Sequence, residues 1–153
     1  MHVARAVGAT SPAGLSRIFV LAASRDDVKA RGLLELLRSI GVAARGCQPA
    51  DLHAAPDLAQ ADIVLFESPR LGDGDWAVLE RVRERSPMVE ILVASSDPEV
   101  AHAVQALRSG VFAVLQHPVT AEQLAAAVLG AYARKCRGEQ RMLAISAERS
   151  PSR

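Results

Sequence analysis

Five short runs of strand-forming residues, at 17–22, 42–47, 62–67, 90–94 and 111–115, alternate along this chain with stretches of helical spacing. That alternation narrows the choice of fold more than any other feature. A strand that leads into a helix rejoins its sheet through a crossover, which makes the next strand parallel and the connection right-handed. The run at 62–67, Asp-Ile-Val-Leu-Phe-Glu, is the clearest. It is apolar without alternation, as expected of a strand covered on both faces. The run at 42–47 is the weakest.

The intervening stretches carry helix signals. Across 28–40, Leu33, Leu34, Leu36, Leu37 and Ile40 form a broad apolar face, with Lys29, Arg31, Glu35 and Arg38 elsewhere and Gly41 placed to stop the helix. Residues 48–61 hold Pro49 and Pro56 and no sustained period, so only a short or irregular helix fits there. Asp75 is positioned to cap a helix over 76–85 with Trp76, Leu79 and Val82 inward. Asp97 and Pro98 open another that runs to Arg108, with Val100, Val104 and Leu107 on its apolar face and Gly110 past its end. Thr120 and Gln123 have the spacing of a capping box and start the last helix, whose core face is Leu124, Val128, Leu129 and Tyr132. Together these elements predict an α/β, flavodoxin-like, doubly wound sheet of five parallel strands in the order 2-1-3-4-5. Its site is expected at the carboxyl ends of the strands, near the first and third. Residues 1–16 are expected to form a flexible leader, 17–135 the domain, and 136–153 a basic helical extension and tail.

Composition excludes several function classes. Half of the 153 residues are hydrophobic, too many for a disordered chain, yet no run is long enough to span a membrane. Aromatic residues make up 3 %, too few for the stacking platforms that bind single-stranded nucleic acid. A net charge of +1 gives no general attraction for a polyanion. The charge is unevenly placed, however. Residues 134–153 hold Arg134, Lys135, Arg137, Arg141, Arg149 and Arg153 against Glu139 and Glu148, leaving the rest slightly acidic. Such a block is ordinarily a solvated helix face. Cys47 and Cys136, in a chain with no secretory leader, read as reduced apolar fillers in a cytoplasmic protein. No Gly-x-Gly-x-x-Gly follows the first strand and no nucleophile elbow frames Ser95, so dinucleotide binding and hydrolysis lack support.

Four stretches carry a family resemblance: Arg-Ile-Phe-Val-Leu at 17–21, Asp-Ile-Val-Leu-Phe-Glu at 62–67, Ala-Val-Gln-Ala-Leu-Arg-Ser-Gly-Val-Phe at 103–112, and Gln-His-Pro at 116–118 before a capped helix. Over about 17–135 the chain resembles the CheY-like receiver domain of bacterial response regulators. The resemblance implies an acid pair for Mg²⁺, an aspartate nucleophile, a Ser or Thr, an aromatic residue, and a Lys before Pro. Mg²⁺ demands carboxylate oxygens, and the lysine offsets charge on the acyl phosphate. This chain departs from that set. The acid pair falls on Ala22 and Ala23, the nucleophile on Glu67, the aromatic on Val114 and the lysine on His117, while Ser95 keeps its hydroxyl. The extra methylene of Glu67 shifts its carboxylate out of in-line geometry. The implied protein is a pseudo-receiver with no metal, no cofactor and no catalytic residue.

The individual residues admit plainer roles. Glu67 is either a permanent charge mimicking phosphate or a partly solvated strand-end acid bonded to Ser95 or paired with His117. Asp26 and Asp27 either replace the lost acids from the loop or cap the first helix and favour its positive N-terminus, the second being the expected role. The family implies a cis bond before Pro118. A closer resemblance is to the pseudo-receiver of amidase-operon (ANTAR) transcription antiterminators, but their three-helix RNA-binding segment has no counterpart in these residues. The expected function is a phosphorylation-independent signalling module acting through protein contacts, with Trp76, Tyr132, Arg134, Lys135 and Arg137 as contact candidates. Cys136, Met142, Leu143 and Ile145 carry the last helix beyond the domain, where a homodimer is expected. The alternatives are an RNA-binding regulator using 134–153 and an atypical phosphoacceptor using Glu67 or Ser95. No membrane partner is expected.

Overall fold

A computed structural model describes residues 12–96 and 99–149. The five runs become β1 (Phe19–Ala23), β2 (Ala43–Cys47), β3 (Ile63–Glu67), β4 (Glu90–Ser95) and β5 (Ala113–Gln116). All pairs are parallel and the order is β2-β1-β3-β4-β5, as the alternation predicts. The helices are α1 (Pro12–Ser16), α2 (Asp27–Ser39), α3 (Asp73–Arg85), α4 (Val100–Arg108) and α5 (Ala121–Arg149).

The pleat of β3 divides the core. Ile63 and Leu65 point to one face, where Leu33 and Leu37 of α2 and Leu124 and Val128 of α5 cover them. Val64 and Phe66 point to the other, against Leu52, Leu58 and, from α3, Val78, Leu79 and Val82. Every residue of β3 is buried, whereas β2 lies at the sheet edge and is mostly exposed. This edge position explains the weak signal at 42–47. Gly41 stops α2 at φ 93°, a conformation that side chains with a Cβ rarely adopt. Thr120 and Gln123 cap α5 reciprocally, each side chain accepting the other's backbone N–H at 3.1 Å.

Several expectations need correction. Residues 12–16 form a helical turn, not a flexible leader, because Leu15 is buried in the α2 and α5 side of the core. Residues 1–11 and 150–153 lie outside the described ones, as do Asp97 and Pro98, so the cap proposed there does too. The stretch 48–61 holds two 3₁₀ turns, Pro49–Ala54 and Pro56–Gln60, each opened by its proline and anchored by a buried leucine. Asp75 is not the first cap of α3. Gly72 holds that position, and Asp75 sits three residues later, accepting from the Gly72 N–H at 3.0 Å. In α4, Val104 is 39 % and Leu107 53 % exposed. That helix packs through the small Ala106, which turns its larger apolar side chains outward.

Candidate functional site

The parallel register brings the strand ends to one place. Ala23 is level with Phe66, Glu67 with Ala94, and Ser95 with Gln116, so Ser24, Glu67, Ser95 and His117 all emerge at the carboxyl edge. Glu67 lies at the centre, its side chain 0 % exposed. Its Oε1 accepts a hydrogen bond from Ser24 Oγ at 2.6 Å. Its Oε2 faces His117 Nε2 at 3.4 Å and the Lys29 ammonium at 3.7 Å. Among the described residues, neither Oε2 nor His117 Nε2 makes a hydrogen bond, so the two groups meet across a narrow gap without one.

Local structure around α2 places Lys29. Asp26 caps α2, its Oδ1 accepting from the N–H groups of Val28 and Lys29 at 2.9 and 3.1 Å. Ser24 Oγ accepts from the Asp26 N–H at 3.0 Å, which ties the cap to the hydroxyl that serves Glu67. From the first turn of the helix, the Lys29 stem spans the strand ends, and its ammonium donates to Ser96 Oγ at 2.9 Å. A carboxylate withdrawn from water is costly unless paired and hydrogen-bonded. Here Ser24 supplies the hydrogen bond and Lys29 the opposite charge.

The expected residues distribute unevenly over this site. Glu67 and His117 meet, and the His117–Pro118 bond is cis. Glu67 is fully buried rather than partly solvated, because the first helix turn and the loops after β4 and β5 close over it. Ser95 donates to the Pro69 carbonyl at 3.1 Å and not to Glu67. Ala22 and Ala23 are buried on opposite faces of the sheet, and the side chain hydrogen-bonded to Glu67 is that of the next residue, Ser24. Val114 is half-buried and borders a cavity of about 150 Å³ with Ser95, His102 and Leu71, where a ring would otherwise fill space. Asp26 acts as a cap, as expected, and Asp27 occupies the first turn of α2. Sequence reasoning missed Ser24 and Lys29. Their signal was the cap itself, since a lysine in the first turn of a helix that leaves β1 can reach the end of β3.

The contact candidates also vary in availability. Trp76 is half-buried in a groove between α3 and α4 with Arg83, Gln105 and Val111. Tyr132 is half-buried, and a hydrogen bond with Cys136 raises its phenol pKa. Arg134 binds both Glu90 oxygens at 2.9 and 2.6 Å and stacks over Phe112 at 4.9 Å. Hydrogen bonding to Glu90 raises its pKa further. Burial works to lower the Lys135 pKa, but hydrogen bonds to Glu139 and Asp62 outweigh it and raise it. Arg137 is exposed. Cys47 and Cys136 are unpaired with each other and half-buried. Burial, then Asp51 and Asp57, push the Cys47 thiol up to about 11, so it is not a thiolate near neutrality.

Comparison with solved structures decides the fold family. A pilus assembly-related protein from Burkholderia pseudomallei superposes with TM-score 0.72 at 23 % identity, over 78 % of this chain and 92 % of that one. A response regulator receiver domain protein from Clostridium thermocellum gives 0.64 at 20 % identity, over 77 % and 96 %. The beryllofluoride-activated NtrC4 receiver domain dimer gives 0.67 at 18 %, over 76 % and 98 %. The chain has the CheY-like receiver fold. No family model matches the sequence, and no curated protein matches it.

The receiver fold implies Mg²⁺ at this edge, and the residues here do not fit it. Mg²⁺ requires six oxygen ligands in near-octahedral array. Of the Glu67 oxygens, one is taken by Ser24 and the other faces an ammonium. Among the described residues, no three His, Cys, Asp or Glu side chains converge to hold a metal ion. Among the same residues, no helix is long and apolar enough to cross a membrane.

Proposed function

We propose that this chain is a receiver-like signalling module in bacterial signal transduction or transcriptional regulation. It acts through protein contacts without being phosphorylated, and it is not an enzyme. The buried Glu67 carries this reading. Forming an acyl phosphate requires a carboxylate oxygen aligned with the donor's phosphorus and open to it. The Glu67 side chain is 0 % exposed, one oxygen is hydrogen-bonded, and the other sits against Lys29 and His117. Neither oxygen is open to a phosphoryl donor, and output depends on what binds the surface. The test is intact-mass measurement after incubation with an acyl phosphate and Mg²⁺. The mass is expected to stay unchanged, and one added phosphoryl group would revive the phosphoacceptor reading.

The surface reading extends to self-association through α5, whose Met142, Leu143 and Ile145 are exposed beyond the domain. The NtrC4 receiver is a dimer in its activated form, which supports a second copy as a partner. The pilus assembly-related neighbour makes a pilus-assembly partner the first heterologous class to screen. RNA binding through 134–153 is less well supported. Arg134 and Lys135 are committed to Glu90, Asp62 and Glu139, which reduces the cationic surface left to neutralise phosphates.

A further inference from the structure

The strand-end pocket lacks the acids its fold family uses, but it also contains a group that family does not need there. We infer that Lys29 is a tethered counter-ion that takes over the divalent ion's work in this pocket. The inference rests on the phosphorylation-independent reading above and assigns the regulation of the same site.

A divalent ion in such a pocket would do two things: offset the charge of the central carboxylate and draw the loops after different strands onto one centre. Lys29 does both with a single positive charge. Its ammonium lies 3.7 Å from Glu67 Oε2 and 2.9 Å from Ser96 Oγ, and so joins α2, β3 and the loop after β4. His117, from the loop after β5, meets the same carboxylate oxygen at 3.4 Å. The Asp26 cap and the Ser24 hydroxyl fix where the Lys29 stem begins. A metal would have to displace a covalently attached cation whose effective concentration is set by the helix, and it would find only one carboxylate. The pocket is thus assembled from the chain's own side chains. Lys29 is 33 % exposed, so the latch is within reach of a partner at the surface.

The test is a double-mutant cycle on the full chain with Lys29→Ala, Glu67→Gln and both together, followed by urea unfolding at pH 8. Lys29→Ala is expected to lower the folding equilibrium constant by about tenfold or more, because it strands a buried carboxylate. In the Glu67→Gln background the same change is expected to cost less than about threefold. Lys29→Arg keeps the charge and should stay near the parent. Millimolar Mg²⁺ should leave parent and variant alike unaffected, since the single carboxylate of Glu67 does not make a magnesium site with or without Lys29. Equal losses in both backgrounds would overturn the inference, as would stabilisation of the parent by Mg²⁺. If Lys29→Ala does not fold, folding of the double variant establishes the coupling, and failure of both contradicts it. A phosphoryl adduct on the parent chain would instead overturn the phosphorylation-independent reading, so the two failures are distinct.

Discussion

Glu67→Lys is expected to leave little folded protein. The position is enclosed, and the Lys29 ammonium lies 3.7 Å from its carboxylate. A lysine there would replace an attraction with a repulsion and strand the Ser24 hydroxyl that now donates to Oε1. Breaking a buried ion pair from one side typically costs about 3–5 kcal/mol, and adding a like charge raises that further. Domains of ordinary stability have only about 5–15 kcal/mol to lose. Glu67→Gln, which keeps the shape, should cost about 1 kcal/mol by comparison. Urea unfolding followed by circular dichroism checks both. Adding Lys29→Glu to Glu67→Lys should recover part of the loss, since it restores opposite charges across the same gap.

Removing everything after Gly138 is expected to weaken self-association by about tenfold or more while leaving the domain's stability within about 0.5 kcal/mol. The expectation follows from the spacing along α5. Leu124, Val128 and Ala131 recur at intervals of four and three and are buried against the sheet. The same rhythm continues through Lys135 and Gly138 to Met142 and Ile145, but from residue 141 onward every described position is exposed. The helix segment from 139 to 149 is about 16 Å long, and Met142 and Leu143 border Met88 of the domain at its start. Free segments of that length are marginal in water, and an apolar stripe on a partner helix would stabilise this one. The ties that dock α5, Arg134 to Glu90 and Lys135 to Asp62, lie before the cut and survive it. Sedimentation velocity of full and shortened chains reads the result. Equal masses over the same concentration range would remove α5 as the dimer contact.

The fold was legible because its signals are local and mutually consistent. The β3 run, the Thr120–Gln123 box and the prolines at 49 and 56 each report on the few residues around them. What was misread depends on packing across the sequence. Val104 and Leu107 look like an inward face, yet α4 seats on Ala106, and only the sheet's position reveals that. Leu15 looks like part of a leader until β1 and α2 come together beneath it. The pocket shows the same division. Glu67 and His117 were found because the family resemblance implies pocket residues at the ends of the third and fifth strands, and both strands are legible in the pattern. Ser24 was displaced by one residue from the assigned acid positions, because the end of β1 is set by pairing Ala23 with Phe66, which is a tertiary fact. Lys29 was placed only away from the apolar face of its helix. Its role needs the length of the side chain, the direction of α2 and the end of β3 together, and no window of the sequence contains all three.

The most direct measure of whether this pocket is closed and internally neutralised is a ¹⁵N spectrum of the full parent chain titrated with millimolar Mn²⁺. A paramagnetic ion held near Glu67 would broaden the amide signals around Ser24, Lys29, Glu67, Ser96 and His117 in a pattern that falls off with distance. Those signals are expected to keep the line widths of the rest of the domain. Selective broadening centred on Glu67 would show that a divalent ion enters where Lys29 is assigned to exclude it, and would contradict this account.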